Sequence, residues 1–177
     1  MSLFDNLETL IVQQSSFVAH VTLNRPQARN AMNFQMTREL YEVFTALQDR
    51  RDIRAVVLSG AGGTFCAGGD LKEMRDNRVP AKESAGNLDD MLRAVDHAAQ
   101  VVIAKVDGAA LGGGLGLVCV SDIAIASRHA KFALPEVRLG IAPAFISPFV
   151  LRRLGLTRAR ELMLTGRRFN GELALHY

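Results

Sequence analysis

Hydrophobic and polar positions divide this chain into short segments whose period keeps changing. Glu8–Gln13 and Phe17–Leu23 are rich in β-branched and other apolar residues and are split by the polar triplet Gln14-Ser15-Ser16, a pattern that predicts a hairpin. Asn24-Arg25-Pro26 ends the second run, because proline has no N–H to donate to a ladder. The period then lengthens: Leu40, Val43, Phe44 and Leu47 mark one buried face of a helix. Ile53–Leu58 is nearly continuous in apolar residues, as a strand covered on both faces would be. A glycine-rich stretch, Ser59–Asp70, leads into a helix from Leu71, and the polar, proline-containing stretch Asp76–Asn87 predicts a mobile loop. Helical spacing returns at Leu88, Met91, Leu92, Val95 and Ala99.

Val101–Val106 reads as a strand, and the glycines within Asp107–Leu117 introduce a helix of small residues. Two more strands are expected at Asp122–Ala126 and Lys131–Leu134, then helices at Pro148–Leu154 and Thr157–Leu164 and another beginning near Gly171. Strands alternating with helices build βαβ units, so the predicted class is α/β. There is no internal repeat.

Composition narrows this picture without changing it. With 177 residues, 49% hydrophobic and 22% charged, the chain suits one domain, 1–177, with a real core. We expect a core over 1–150 and the start of a helical segment over 151–177. No apolar run approaches the roughly 20 residues of a membrane span. The N-terminal MSLFDNLETL lacks a basic region followed by an apolar one, so the expected setting is cytoplasmic, with no membrane partner. Cys66 and Cys119 have no metal-type or CxxC spacing and read as small core residues. The histidines also lack ligand spacing, so no metal is expected.

The formal charge is +3, and Arg152, Arg153, Arg158, Arg160, Arg167 and Arg168 crowd the last part of the chain. They suit either solvated helix faces or attraction of an anionic ligand. Without interleaved aromatic residues they do not form a platform for single-stranded nucleic acid, which is not an expected partner.

Candidate chemistry enters through glycine. A strand-to-helix junction with glycine occurs twice, as Val57-Leu58-Ser59-Gly60 leading to Phe65-Cys66-Ala67-Gly68-Gly69-Asp70-Leu71, and as Val106-Asp107-Gly108 leading to Leu111-Gly112-Gly113-Gly114. Glycine admits close approach to the backbone, and a helix start presents N–H groups without intrahelical partners. Two such turns facing each other would point two donors at one oxygen anion. A dinucleotide fingerprint is absent, because the position five residues after Gly112 is Leu117 and after Gly60 is Phe65. Neither a phosphate-binding GxxxxGK[ST] nor a GxSxG elbow occurs.

At these residues the chain resembles the crotonase superfamily, the enoyl-CoA hydratases and isomerases. The stretches that carry the resemblance are Leu23-Asn24-Arg25-Pro26 with Arg29-Asn30-Ala31-Met32, FCAGGDLKEM (Phe65–Met74), DGAALGGGLGL (Asp107–Leu117), SDIAIAS (Ser121–Ser127) and KFALPEVRLGIAP (Lys131–Pro143). The resemblance implies a ββα spiral of repeated βαβ turns, assembled as a homotrimer or hexamer. It implies no permanently bound cofactor, with coenzyme A arriving as part of an acyl-CoA substrate. Family members continue beyond the position of Tyr177 into further helices, so a truncated C-terminal helical part is expected.

By resemblance, the oxyanion donors fall on the N–H groups of Gly69 and Gly113. Ala67 and the run Gly69, Asp70, Leu71 and Lys72 border the thioester and pantetheine, while Arg25, Ala28 and Arg29 lie where the family meets the coenzyme A nucleotide. Hydratases of the family usually carry two glutamates. The second falls on Glu136; the first falls on Gly116 and is missing. A carboxyl in an apolar acyl pocket has its pKa raised toward the range useful for proton transfer. Asp70 reads as a helix cap, and Asp122 as a structural hydrogen-bond acceptor. The segment Arg138–Pro148 looks like the methylglutaconyl-CoA and isohexenylglutaconyl-CoA hydratase-type subgroup. The preferred expectation is hydration of a 2-enoyl-CoA, branched or carboxylated. A Δ3-Δ2 enoyl-CoA isomerase and a catalytically weak acyl-CoA- or RNA-binding assembly protein stay open beside it.

Overall fold

The computed structural model describes residues 4, 6–76 and 86–177. Most of the stretch expected to be a loop, positions 77–85, lies outside the described residues. The first sheet begins with β1 (Leu10–Ser15) and β2 (Val18–Leu23), the antiparallel hairpin, turned at Ser16-Phe17. After α1 (Phe34–Leu47) the chain enters β3 (Ala55–Gly60), parallel to β2. Helices α2 (Leu71–Asp76) and α3 (Leu88–Asp96) precede β4 (Val101–Val106), parallel to β3.

The second sheet starts at β5 (Ala109–Leu111), followed by α4 (Gly113–Val120). Strand β6 (Ile123–Ala126) returns to the first sheet, giving the order β1-β2-β3-β4-β6, and β7 (Lys131–Ala133) joins β5 in the second. Helices α5 (Ser147–Leu154) and α6 (Leu156–Thr165), strand β8 (Phe169–Asn170) and helix α7 (Gly171–Ala174) follow, with β8 antiparallel to β7.

The α/β class is observed, but Ile53–Leu58 is not a doubly covered strand. Only alternate residues of β3, Val56 and Leu58, are fully buried, while Ala55 and Val57 are partly exposed. The same alternation places Ala19, Val21 and Leu23 of β2, and Val102, Ala104 and Val106 of β4, in the core. The facing layer includes Leu40, Val43, Phe44 and Leu47 of α1 and Met91, Leu92 and Val95 of α3. Each large side chain so buried stabilises the fold by about 1.5–3 kcal/mol.

Both helices start on an asparagine cap. Asn33 Oδ1 accepts the Met36 N–H at 3.0 Å, and Asn87 Oδ1 accepts those of Asp89 and Asp90. Unlike these amphipathic helices, α4 is buried on every side, as a helix threaded through a core must be.

One buried carboxylate fastens the entry to β1. Glu39 on α1 accepts the Glu8 N–H at 2.8 Å, the Thr9 N–H at 3.0 Å, the Thr9 hydroxyl and the Gln35 side-chain amide. Burial alone would raise this carboxyl's pKa; the hydrogen bonds outweigh it and hold it below the usual range. This capture is why the first strand starts at Leu10 and not at Glu8.

Candidate active site

The loop after β3 is held open by an asparagine to which the sequence reading gave no role. Asn30 is fully buried in a left-handed backbone conformation, which asparagine tolerates better than most residues. Its amide nitrogen donates to Ala61 O at 2.8 Å and Thr64 O at 2.6 Å, while its oxygen accepts the Arg25 N–H.

Beyond this anchor the two glycine loops are stitched together. Phe65 N–H donates to Asp107 O, Cys66 N–H to Ala109 O at 2.8 Å, and Leu111 N–H back to Cys66 O at 3.0 Å. Cys66 is sealed in this seam, and burial pushes its thiol pKa up to about 12. It packs as a core residue, and so does Cys119.

On the first loop, Met32 takes both neighbours of Gly69: its N–H donates to Gly68 O and its carbonyl accepts the Asp70 N–H, each at 2.8 Å. The Gly69 N–H is left over by this strand-like alternation. It does not open a helix, since α2 begins at Leu71. On the second loop, Gly113 is the first residue of α4, and the helix's first bond runs from Gly116 N–H to Gly112 O at 3.0 Å. Among the described residues, neither the Gly69 nor the Gly113 N–H reaches a protein acceptor. Gly68 holds the loops close, because a Cβ there would lie 3.0 Å from Leu111 O and 4.0 Å from Gly112 Cα.

Glu136 sits on a 3-10 turn, Pro135–Leu139, that follows β7 and the buried Leu134. Its backbone is set by Ile141 N–H donating to Glu136 O at 3.1 Å. Oε1 points at Gly112, where a Cβ would be only 2.8 Å away, so a side chain at 112 would displace the carboxylate. Oε2 is buried without a hydrogen-bond partner among the described residues. Burial therefore pushes the carboxyl above its ordinary range, opposed only by its own backbone N–H. An acid held in this way exchanges a proton more readily near neutrality than a solvated glutamate does. At Gly116, the helical position lacking the other glutamate, a Cβ would lie 2.6 Å from Ile146 Cγ2. That space is hydrocarbon.

The remaining predicted residues gather along one rim beside Gly69. Arg25 binds Asp70 Oδ2 through both guanidinium nitrogens at 3.1 Å and also reaches Ala31 O. Burial would raise the Asp70 carboxyl, but the Glu73 N–H, Arg25 and the Lys72 N–H outweigh it and lower its pKa. Asp70 thus caps α2, and Asp122 accepts the Val102 N–H at 2.8 Å. Ala67 N–H donates to Arg29 O at 3.1 Å, joining the two segments of the rim. Ala28 and Ala67 are half-buried, and Arg29, Leu71 and Lys72 are exposed.

The arginine run is largely engaged elsewhere. Arg152 pairs with Asp96, Arg153 donates to Ser121 O and Asp122 O, and Arg167 pairs with Glu161.

This spiral with two stitched glycine loops and a half-buried glutamate defines a crotonase-type α/β protein. The sequence model of the enoyl-CoA hydratase/isomerase family matches residues 13–177, and the chain belongs to that family. It is 35% identical over 160 residues to the enoyl-CoA hydratase AKT6-1 of Alternaria alternata, covering 90% of this chain and 53% of that protein. It is 37% identical over 172 residues to the short-chain-enoyl-CoA hydratase of Clostridium acetobutylicum, covering 96% and 66%. Among solved structures, Pseudomonas aeruginosa AtuE superposes with a TM-score of 0.89 at 50% identity, covering 96% of this chain and 67% of that one. The chain therefore spans about half to two thirds of the length of its curated relatives. No described helix is long and apolar enough to cross a membrane.

Proposed function

We propose that this chain carries the thioester-activating core of an acyl-CoA-processing enzyme, and that its reaction is hydration of a 2-enoyl-CoA. The observation behind this reading is the pair of unpartnered N–H groups, Gly69 and Gly113, set beside a buried carboxyl at Glu136. Both N–H groups donate to the thioester oxygen, which gains negative charge as an enolate forms. Each donor contributes about 2.7–4 kcal/mol at the transition state. Glu136, ionised, takes a proton from water as the water oxygen bonds to the acyl β-carbon. It then returns that proton to the α-carbon, so the enolate collapses and the Glu136 carboxylate is regenerated.

Arg25, Ala28, Arg29, Ala67, Asp70, Leu71 and Lys72 form the coenzyme A rim in this reading. The Arg25–Asp70 pair shapes the rim, and the exposed Arg29 and Lys72 supply its free positive charge. The functional unit is a trimer or hexamer in the cytoplasm, and the acyl group is of the branched, glutaconyl type that the subgroup resemblance implies.

A second reading rests on Ile146 filling the space at Gly116. With one carboxyl in the site, Glu136 can take a proton from the α-carbon and return it to the γ-carbon, moving the double bond without adding water. Glu136→Gln tests both readings. It should lower kcat by about 10²–10⁴-fold on enoyl-CoA substrates while leaving acyl-CoA affinity nearly unchanged. Addition of water by the wild type, followed as loss of the conjugated enoyl absorbance, supports the hydratase; movement of the double bond alone supports the isomerase. Full turnover by Glu136→Gln would remove Glu136 from the mechanism.

A further inference from the structure

Ile146 stands at the start of α5, the element that follows the Glu136 turn, and the fold brings both against α4. Its side chain is 3% exposed, and its Cγ2 and Cβ would lie 2.6 and 3.2 Å from a Cβ at Gly116, with Leu92 Cδ2 at 3.7 Å. Gly116 therefore marks a notch in α4 that Ile146 fills. The Gly116 N–H donates to Gly112 O, so the two residues lie one turn apart, and residues four apart share a helix face. Gly112 is the residue against which the Glu136 carboxylate rests. Gly113, the proposed donor, follows it directly.

From these placements we infer that Ile146 is a specificity-determining residue, setting how large a substituent on the acyl β-carbon the site accepts. The inference rests on the acyl-CoA reading. A thioester oxygen bound at the Gly113 N–H starts the acyl chain at the first turn of α4. One turn, about 5.4 Å, is the reach from that oxygen to a group attached at the β-carbon. The wall met there is the Ile146 side chain, which is aliphatic, with Leu92 Cδ2 at the same notch. A glycine at 116 brings this wall closer to the helix axis than any other residue would permit.

The test uses binding of saturated thioesters, so that selectivity is read without turnover. Titration calorimetry would give the ratio of dissociation constants for butanoyl-CoA and 3-methylbutanoyl-CoA in the wild type, Ile146→Ala and Ile146→Val. One methylene in a hydrophobic pocket changes discrimination by roughly 10–200-fold. Ile146→Ala should therefore shift the ratio toward the branched thioester by at least about tenfold. Ile146→Val, which disturbs the core less, should shift it the same way by a smaller factor. A purely structural role would reduce the amount of folded protein and leave the ratio unmoved. An unchanged ratio in folded Ile146→Val and Ile146→Ala overturns the assignment of Ile146 while leaving the proposed reaction intact. Failure of the wild type to bind either thioester overturns the acyl-CoA reading, and the inference falls with it.

Discussion

Replacing Gly113 by proline removes one proposed donor, and the local structure makes this an unusually clean deletion. Gly113 is the first residue of α4, where proline is well accommodated because its missing N–H has no helical partner to lose. The helix's first bond, from Gly116 to Gly112, does not involve the Gly113 N–H and survives. A Cβ at 113 would meet Met32, whose Cε occupies that space. That atom is the free end of a flexible side chain, so Met32→Ala clears the way and serves as the reference background. Loss of a single oxyanion donor costs about 2.7–4 kcal/mol, or 10²–10³ in kcat. Met32→Ala/Gly113→Pro should therefore turn over an enoyl-CoA at least about 100-fold more slowly than Met32→Ala alone. Circular dichroism and binding of a saturated acyl-CoA should match between the two. A rate within threefold of the reference, in a folded double variant, would refute the two-donor geometry.

Two further predictions concern the carboxyls of Glu136 and Glu39, which respond to pH with opposite sign. Glu136 has a raised pKa, so its ionised form destabilises the fold. Its favourable contribution is present below the unfolded pKa and is lost as pH rises through the folded one. Glu136→Gln should accordingly melt above the wild type at pH 7, with the gap closing in acid; equal melting temperatures at both pH values would contradict this. Glu39 has a lowered pKa, so its contribution is present above the unfolded value and lost as pH falls through the folded one. Glu39→Gln should cost about 1.5–3 kcal/mol near neutrality by urea unfolding, and much less in acid. A cost independent of pH would show that the charge on Glu39 does not matter.

Local patterns made much of this fold legible. β4 coincides with the run Val101–Val106, where β-branched residues favour the extended backbone and alternate side chains, Val102, Ala104 and Val106, enter the core. The helices with a single apolar face were equally readable. What escaped depends on partners distant in sequence. β8 is two residues long and owes its place to Phe169 stacking on Phe132, with ring centroids 5.2 Å apart, a contact without local signal. The 3-10 turn that carries Glu136 is announced only by Pro135. In the site, glycine spacing and family resemblance pointed to Gly69, Gly113 and Glu136. The Gly69 N–H, however, is freed by pairing with Met32 and not by a helix start, and no period could reveal that. The absent side chain at Gly116 was visible; Ile146 in its place was not.

The seam between Cys66 and Ala110 also carries a consequence for the order in which the molecule is built. Both proposed donor glycines lie just beyond this seam, one on each side, and its two hydrogen bonds join segments separated by α2, α3 and β4. Closing so long a connection costs chain entropy that only the assembled core repays. Half a site therefore has no independent existence: a nascent chain that has not yet delivered Leu111 holds Gly69 only from the Arg29 and Met32 side, with the facing loop still missing. Competence arises in one step, when the seam zips. In native-state hydrogen exchange the Cys66 and Leu111 amides should then open together, as a single cooperative unit.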